Sequence, residues 1–307
     1  MDELGAVVLA YGRSDRHAAL IDDLRRAGVS DEHLIVVHNP DRPQDAWRPT
    51  CPEQATLIAL PRNLGYAAAM NRGIDAFIER GLQAVLLLTH DARVEPTTLT
   101  TLLEAANRAP SYGVLGLAVQ GAGGASTSYG SYLRADGIVE HVSERPHGDH
   151  VAESMFVDGS ALLVRLEACG PSPLPERYFM YFEESELCSA VRKAGWNVGT
   201  ALDAKARSTS GIRYRRGAFQ YLYVRNGLDW IWRNCGRRAG IRYVLYEAWR
   251  AVRDVPKPGG QRFGDADLRR AGYLELLARA LGLRDFILGR WGPPPDVLLV
   301  RSDVRYV

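Results

Sequence analysis

Residues 56–91 decide the fold, and they read TLIALPRNLGYAAAMNRGIDAFIERGLQAVLLLTHD. Two short apolar runs, Thr56–Leu60 and Ala84–Leu88, enclose a helical pattern at Ala67–Phe77. Apolar runs of this length on either side of a helix are typical of the buried strands of a parallel sheet. Two more apolar runs and one more helical pattern precede this stretch, at Ala6–Ala10, Leu34–Val37 and Leu20–Ala27. The sequence therefore predicts an α/β fold with a Rossmann-like, mostly parallel sheet flanked by helices.

The rest of the chain is less regular. Residues 121–150 are rich in Gly, Ser and His and predict irregular connections with room for one hairpin. Further elements are then predicted as a strand at Met155–Arg165, a helix at Glu183–Ala194, a strand at Gly195–Ala201, a helical stretch at 220–252 and a last helix at Asp267–Leu281. We expect residues 1–215 to form the sheet domain and residues 216–307 a C-terminal helical extension.

Composition narrows the class of protein. The 307 residues are 46% hydrophobic and 24% charged, which is ordinary globular usage and excludes a largely disordered chain. Lys and Arg outnumber Asp and Glu by only two, so no overall charge favours a nucleic acid partner.

The spacing of the cysteines and the hydropathy of the sequence indicate in which compartment the protein is expected. The four cysteines lie far apart, with no CxxC pair for zinc and no dense disulfide framework. The first residues lack a basic leader, and no apolar run approaches the roughly 18 residues that a membrane span requires. We therefore expect a cytoplasmic protein that does not cross a membrane.

Three segments carry polar residues that could do chemistry. Residues 62–77 place Asn63 and Gly65 in a turn before a helix whose start would favour an anion. His90 and Asp91 follow an apolar strand, where a carboxylate could hold a divalent cation against a diphosphate. Residues 183–186 put three glutamates into one first helical turn. Each has a plain alternative: a strand–turn–helix junction, a loop carboxylate that caps a turn, and acids that complement a helix dipole.

Other templates fit poorly. The glycines in VLGLAVQGAGGAS imitate a dinucleotide-binding fingerprint, but Ser126 replaces the third glycine and the following residues do not predict a helix. The sequence contains no P-loop, no GxSxG elbow and no HExxH motif. These observations argue against a dehydrogenase, a P-loop enzyme, a serine hydrolase and a zinc protease.

Taken together and in this order, the segments resemble family 2 glycosyltransferases of the rhamnosyltransferase-like branch, which have a GT-A fold. The resemblance rests on VVLAYGR near the start, NLGYAAAMNRGI, the acidic end of AVLLLTHD, FVDGSALLVRLEACG, YFEESELCSAVRKAGW and the pair Arg225–Asn226. It extends from about Ala6 to Asn226. It implies inverting transfer of a sugar from a UDP- or dTDP-linked donor to an acceptor hydroxyl of a small molecule, glycan or lipid-linked compound.

The resemblance also implies roles for individual residues. Glu184 falls on the general base, and Asp91 falls on the carboxylate that binds Mg²⁺ or Mn²⁺. Acceptor contacts are implied for Asp158, Gly159, Ser160 and Glu183. Nucleotide-sugar contacts are implied for Tyr11, Arg13, His38, Asn63, Gly65, Asn71, His90 and Asp91.

Three positions depart from the family pattern. His38 stands where an Asp usually binds the pyrimidine, and His90 precedes the metal-binding Asp. Ser208 falls near the position of a late metal-binding His, so the metal requirement is open. Either Asp91 recruits the ion with diphosphate and water, or arginines of the following GIRYRRG tract neutralise the diphosphate. These arginines are Arg213, Arg215 and Arg216.

Two further alternatives stay open at this point. The departures allow a catalytically impaired nucleotide-sugar-binding partner or regulatory subunit instead of an active enzyme. Aromatic and arginine residues alternate through 220–252, which is compatible with packing or a homodimer, with peripheral contact to the inner face of a membrane, or with acceptor binding.

Overall fold

We describe the fold from a computed structural model of the chain. The described residues are 4–12, 16–41, 47–124, 126–134, 139–209, 216–253 and 266–299, without the side chains of 216 and 266–271. The strands are β1 (Leu4–Tyr11), β2 (Leu34–Asn39), β3 (Thr56–Ala59), β4 (Ala84–Thr89), β5 (Ala92–Val94), β6 (Tyr112–Gln120), β7 (Thr127–Ser128), β8 (Ser131–Leu133), β9 (Val139–His141), β10 (Val151–Glu153), β11 (Ala161–Arg165) and β12 (Asn197–Ser208). The helices are α1 (Arg16–Arg26), α2 (Gly65–Glu79), α3 (Thr98–Arg108), α4 (Glu183–Lys193), α5 (Arg216–Asn234), α6 (Arg237–Arg253) and α7 (Ala266–Ile287).

The main sheet is mixed and mostly parallel, as the sequence predicts. Its strand order is β10-β12-β6-β11-β4-β1-β2-β3, with β5 paired to β12 and β7 paired to β6. The pairs β4–β1, β1–β2, β2–β3 and β6–β12 are parallel, whereas β11 runs antiparallel to both β4 and β6. Because β1, β2 and β4 point the same way, their carboxyl ends share one edge of the sheet. The buried apolar residues of these strands form its core.

Several elements differ from the expectation. The strand predicted from Met155 begins only at Ala161, because Asp158 closes a turn in which its Oδ1 accepts bonds from Ser160 N (2.9 Å) and Ser160 Oγ (2.6 Å). β12 continues seven residues beyond the predicted end at Ala201, to Ser208. β6 and α3 were not among the predicted elements. The glycines that made residues 114–126 look like a fingerprint hid a strand that lies between β12 and β11.

The described chain divides into two compact units. The first comprises residues 4–132, 139–176 and 183–209, and the second comprises 133–134, 177–182 and the described residues from 216 onward. Within the second unit, Gly236 adopts φ +85° and ends α5, so the predicted helical stretch 220–252 is two helices. No helix in the described parts of the chain is both long enough and apolar enough to cross a bilayer.

Two aromatic residues of α5, Tyr221 and Trp230, are buried, whereas Trp232 is 37% exposed. Tyr221, Trp230 and Arg225 are all buried, and Tyr221 donates a hydrogen bond to Asp285 (2.8 Å). Of the alternatives left open for 220–252, packing therefore describes Tyr221, Arg225 and Trp230 of α5, because these side chains are buried.

The segment 178–182 is strained and is held by α5. Phe179, Tyr181 and Phe182 adopt φ between +67° and +72°, a region that non-glycine residues rarely occupy. Asn226 Nδ2 lies 2.8–3.0 Å from the carbonyl oxygens of Tyr178, Met180 and Tyr181. These contacts give the Arg225–Asn226 pair a structural role in the second unit.

Candidate active site

The first part of the candidate site is the junction between β2 and α2. Asn39, the buried last residue of β2, accepts a bond from Leu64 N (3.0 Å) on its Oδ1. Its Nδ2 donates to Asn63 Oδ1 (3.0 Å) and to Gly65 O (3.2 Å). Asn63 Oδ1 in turn accepts from Gly65 N (2.9 Å), and Gly65 has φ +86°. Two asparagines thus satisfy N–H groups at the start of α2 that no residue of the helix can bond.

Beside this junction, the end of β1 carries a tyrosine–aspartate pair. Tyr11 donates its hydroxyl to Asp41 Oδ1 at 2.6 Å, and its ring centroid lies 6.3 Å from that of His90. The pKa of His90 is lowered, chiefly by burial, so this imidazole is neutral near pH 7. The structure brings Tyr11 and His90 together as predicted, and it adds Asp41, which the sequence analysis did not single out.

Two residues predicted to contact the nucleotide make other contacts in the structure. His38 is only 1% exposed, and its ring packs edge-on against Trp47 at 5.4 Å between centroids. Asn71 is buried on α2, where its Nδ2 donates to Leu174 O (2.8 Å) and its Oδ1 accepts from Leu174 N (3.0 Å). Both side chains are committed to packing and loop anchoring, so the structure gives their predicted nucleotide contact no support.

The turn after β4 and the end of β12 meet at Asp91. Ser208 Oγ donates to Asp91 Oδ2 at 3.2 Å, and Thr209 N donates to the Asp91 carbonyl oxygen at 2.8 Å. The register that pairs Ser208 with Ala92 produces this contact. Ser208 therefore stands beside the carboxylate that the resemblance assigns to the metal. Within the part of the chain that the structure describes, no group of three or more His, Cys, Asp or Glu residues could bind a metal ion.

The third part of the site is an acidic cluster at the start of α4, in which Glu183 is buried and Glu184 and Asp158 are half-buried. A Cβ added to Gly159 would lie 3.6–3.7 Å from the Glu184 side chain, which is an ordinary van der Waals distance, so the Asp158–Ser160 turn lies directly beside this glutamate. Tyr66, on the first turn of α2, donates its hydroxyl to Gly159 O at 2.5 Å. Thr89 N donates to Ser160 O at 3.1 Å, which joins this turn to the end of β4. The predicted acceptor segment and the predicted base are thus neighbours.

Burial raises the pKa of both glutamates of this cluster. The pKa of Glu184 is raised to about 7, first by desolvation and also by the charge of Asp158. The pKa of Glu183 is raised well above its ordinary value by desolvation and by Glu184, and its Oε2 is buried without a hydrogen-bond partner in the described structure. The protonated form of both carboxyl groups is therefore favoured relative to an exposed glutamate. Burial raises the pKa of the Tyr66 hydroxyl, and the neighbouring carboxyl groups raise it further.

Some predicted residues lie outside the described parts of the chain. They are Arg13, Arg213 and Arg215, together with the side chain of Arg216. The sequence analysis missed Tyr66, and among residues 38–41 it gave a nucleotide role only to His38. Asn39 ends β2 and Asp41 follows it at the edge where ligands bind, so the polar side chains of this range are the signal that points to them.

Comparison with known proteins relates the chain to sugar transferases. Residues 6–151 match the family model of Glycosyl transferase family 2. The chain is similar to N-acetylglucosaminyl-diphospho-decaprenol L-rhamnosyltransferase of Mycobacterium tuberculosis, strains CDC 1551 and H37Rv, with 29% identity over 174 residues. That match covers 46% of this chain and 54% of the relative, so the chain spans about half the length of the curated relatives it matches.

Solved structures share the fold. The mannosyltransferase PcManGT from Pyrobaculum calidifontis, in complex with GDP-Man and Mn²⁺, aligns with TM-score 0.53 and 12% identity over 94% of this chain and 88% of that one. TarS 1–349 of S. aureus, in complex with UDP-GlcNAc, aligns with TM-score 0.53 and 13% identity over 96% and 82%. GalNAc-T7 with UDP, GalNAc and Mn²⁺ aligns with TM-score 0.53 and 9% identity over 96% and 59%. These likenesses confirm the expected GT-A fold.

Proposed function

We propose that the protein transfers a sugar, with inversion, from a nucleoside diphosphate donor to an acceptor hydroxyl, because residues 6–151 match the family model of Glycosyl transferase family 2. Glu184 is the general base of this reaction. The observation that carries the proposal is the position of Glu184 beside the Asp158–Ser160 turn, with its pKa raised to about 7 and with a second carboxyl group, Glu183, whose pKa is also raised. A carboxylate with a pKa near the working pH is suited to act as a general base.

The chemistry follows from this pair. Deprotonated Glu184 takes the proton of the acceptor hydroxyl while that oxygen bonds to the anomeric carbon from the side opposite the donor phosphate. The bond between the anomeric carbon and the phosphate oxygen breaks, and its electron pair leaves with the nucleoside diphosphate. The raised pKa of Glu183 favours its neutral form, which adds no second negative charge beside the base. One carboxylate is sufficient because a diphosphate leaves without being protonated.

The donor occupies the shared carboxyl edge of β1, β2 and β4 in this proposal. Asn39 and Asn63 fix the turn before α2, whose N-terminus favours the negatively charged diphosphate. Asp41, held by the Tyr11 hydroxyl, supplies the acceptor for a pyrimidine N–H, a role that buried His38 does not support. A UDP- or dTDP-linked sugar is the donor class that this arrangement favours.

A divalent metal fits this site only as a partner of the substrate. Among the residues that the structure describes, Asp91 offers one carboxylate and Ser208 one hydroxyl, too few groups to hold a metal ion by themselves. Mg²⁺ and Mn²⁺ are commonly completed by phosphate oxygens and water, so Asp91 would hold the ion against the donor diphosphate. When bound, the ion neutralises the charge that develops on the leaving diphosphate. The proposed role of Arg213, Arg215 and Arg216 in this neutralisation remains an alternative.

The acceptor is proposed from the relative. The Mycobacterium tuberculosis protein is named for transfer to a decaprenol-linked diphospho-sugar. We infer a lipid-linked acceptor for this chain, bound with its hydroxyl at the Asp158–Ser160 turn. The impaired-partner alternative is favoured by one observation, the Ser208 hydroxyl at the position where the family has a histidine.

Donor hydrolysis tests the proposal and separates the two candidates. Purified protein is incubated with UDP- and dTDP-sugars, with and without Mn²⁺, and released nucleoside diphosphate is measured. Glu184→Gln is expected to lower kcat at least about 100-fold with donor affinity retained. The matched control is Glu186→Gln, the same change on the same helical turn, which should leave kcat within about twofold.

Three outcomes count against parts of the proposal. Donor binding without turnover in the unmodified protein would favour the impaired partner. Near-normal turnover in Glu184→Gln with none in Glu183→Gln would move the base by one residue. Turnover that survives exhaustive chelation, and falls only when Arg213, Arg215 and Arg216 are changed to Ala, would exclude the metal.

A further inference from the structure

Helix α6 (Arg237–Arg253) presents an apolar stripe to solvent. Ile241, Leu245, Trp249 and Val252 are 54%, 64%, 55% and 74% exposed. Their spacing of four, four and three residues keeps them on one face, because an α-helix completes a turn in 3.6 residues. Scattered exposed apolar residues are ordinary, but a stripe of four along one helix marks an interaction surface.

The opposite face of α6 is fixed by buried contacts. Tyr243 and Glu247 are buried, and Glu247 accepts bonds from Arg279 Nε (3.3 Å) and Gln220 Nε2 (3.4 Å). Arg250, on the same helix, donates to the other oxygen of Glu247 at 2.8 Å. A rotation of α6 that buried the apolar stripe would move the Glu247 carboxylate away from Arg279 and Gln220. The outward direction of the stripe is therefore set by the polar contacts behind it.

The charges that accompany the stripe are all positive. Glu247 is the one acidic residue of α6, and it faces inward. The exposed charged residues of this helix are Arg237, Arg238, Arg242 and Arg253. The Arg253 guanidinium lies over the Trp249 ring, 4.8 Å from its centroid. An apolar stripe that contains Trp and is bordered by arginines is typical of helices that lie in the interface of an anionic bilayer.

We propose that α6 docks the protein on an anionic membrane surface, with Ile241, Leu245, Trp249 and Val252 inserted at the boundary between the head groups and the acyl chains. Charge complementarity favours a bilayer over a second copy of the chain. A symmetric dimer through this face would bring the arginines of one copy against those of the other. Phosphate-bearing lipids instead neutralise these arginines while the acyl region accepts the apolar stripe. The value of such docking for catalysis rests on the lipid-linked acceptor proposed above, whereas the docking itself does not.

Vesicle binding tests the proposal with the full chain. Co-sedimentation with vesicles of phosphatidylcholine alone is compared with vesicles that contain about one third phosphatidylglycerol. We expect binding to the anionic vesicles that weakens as salt is raised. Leu245→Glu combined with Trp249→Glu should lower the partition constant at least about tenfold, because both side chains would carry charge into the interface. The matched control is Leu57→Glu, at an exposed apolar residue on strand β3.

A second pair of variants tests the charge. Arg238→Gln with Arg242→Gln should lower binding to anionic vesicles about tenfold, whereas Arg108→Gln with Arg207→Gln, the same change at exposed arginines of the sheet unit, should lower it less than twofold. Donor hydrolysis is measured in parallel and should be unchanged in all variants, which separates lost docking from lost catalysis. Equal binding by the α6 variants and their controls would overturn the proposal. So would a dimer in solution that Leu245→Glu dissociates, because the stripe would then be a protein interface.

Discussion

Replacement of Asn39 by Ala gives a quantitative test of how the donor edge is built. This side chain makes three hydrogen bonds at the junction of β2 and α2, one to Leu64 N and two from its Nδ2 to Asn63 Oδ1 and Gly65 O. At about 1 kcal/mol of net stabilisation each, their loss costs about 3 kcal/mol of unfolding free energy. Such a loss changes the unfolding equilibrium roughly a hundredfold.

The same variant is expected to affect the ligand site. Without Asn39, nothing from β2 fixes the turn at residues 63–65, so the start of α2 loses the geometry that we propose for diphosphate binding. We expect the Kd for UDP or dTDP to rise at least about tenfold at a temperature where the variant is still folded. Urea unfolding followed by circular dichroism gives the first quantity, and isothermal titration calorimetry gives the second.

Two further variants identify the cause. Asn39→Asp keeps the size of the side chain and the acceptor for Leu64 N, but it places a buried carboxylate against two acceptor oxygens, so it should destabilise at least as much as Ala. Asn197→Ala removes an exposed asparagine bonded to Ser111 Oγ and should cost less than about 0.5 kcal/mol. If Asn39→Ala costs less than about 1 kcal/mol and leaves nucleotide affinity unchanged, the reasoning about this junction is wrong.

Other predictions concern ionisation and the metal. The pKa of about 7 at Glu184 means that kcat should rise about tenfold between pH 6 and pH 8 with a midpoint near 7; a flat profile would show that another group is the base. The raised pKa of Glu183 means that the folded state holds this proton more tightly than the unfolded state, so stability is lost as pH rises above the unfolded value near 4.5. Glu183→Gln cannot ionise, and urea unfolding at pH 5 and pH 8 should therefore show a smaller decline than in the unmodified protein; an equal decline would contradict the assignment. Ser208→His places an imidazole beside Asp91, so Mn²⁺ titrations in the presence of nucleoside diphosphate should give at least about tenfold tighter metal binding, and no change would mean that Asp91 does not face the ion.

The sequence by itself determined the sheet, because its strands can be recognised as local runs of apolar residues. The strands at Leu34–Val37 and Ala84–Leu88 could be predicted without reference to distant residues. A continuous apolar run is typical of a parallel strand that is buried on both faces. Segments whose signal was mixed were less well predicted. Asp158 and Gly159 shortened β11 by forming a turn, and glycines within 112–120 hid the strand β6.

Only the tertiary structure decided which polar residues meet. Glu184 lies 25 residues after Gly159 in the chain, and their contact depends on how α4 packs beside the turn before β11. The family resemblance assigned Glu184 as the base, but its pKa near 7 comes from burial, which no local pattern encodes. By the same reasoning, Asn71 seemed a ligand contact on the sequence and is bonded to Leu174 in the structure.

Helices α5 and α6 show the same difference between what the sequence determines and what only the tertiary structure decides. The sequence displayed alternating arginines and aromatic residues throughout 220–252, and helical periodicity alone did not say which of them face inward. Packing buried Arg225 and Trp230 of α5 but left Leu245 and Trp249 of α6 exposed. The physical reason is that a sequence fixes the spacing of side chains along a helix, whereas the neighbours that cover one face of it come from distant parts of the chain.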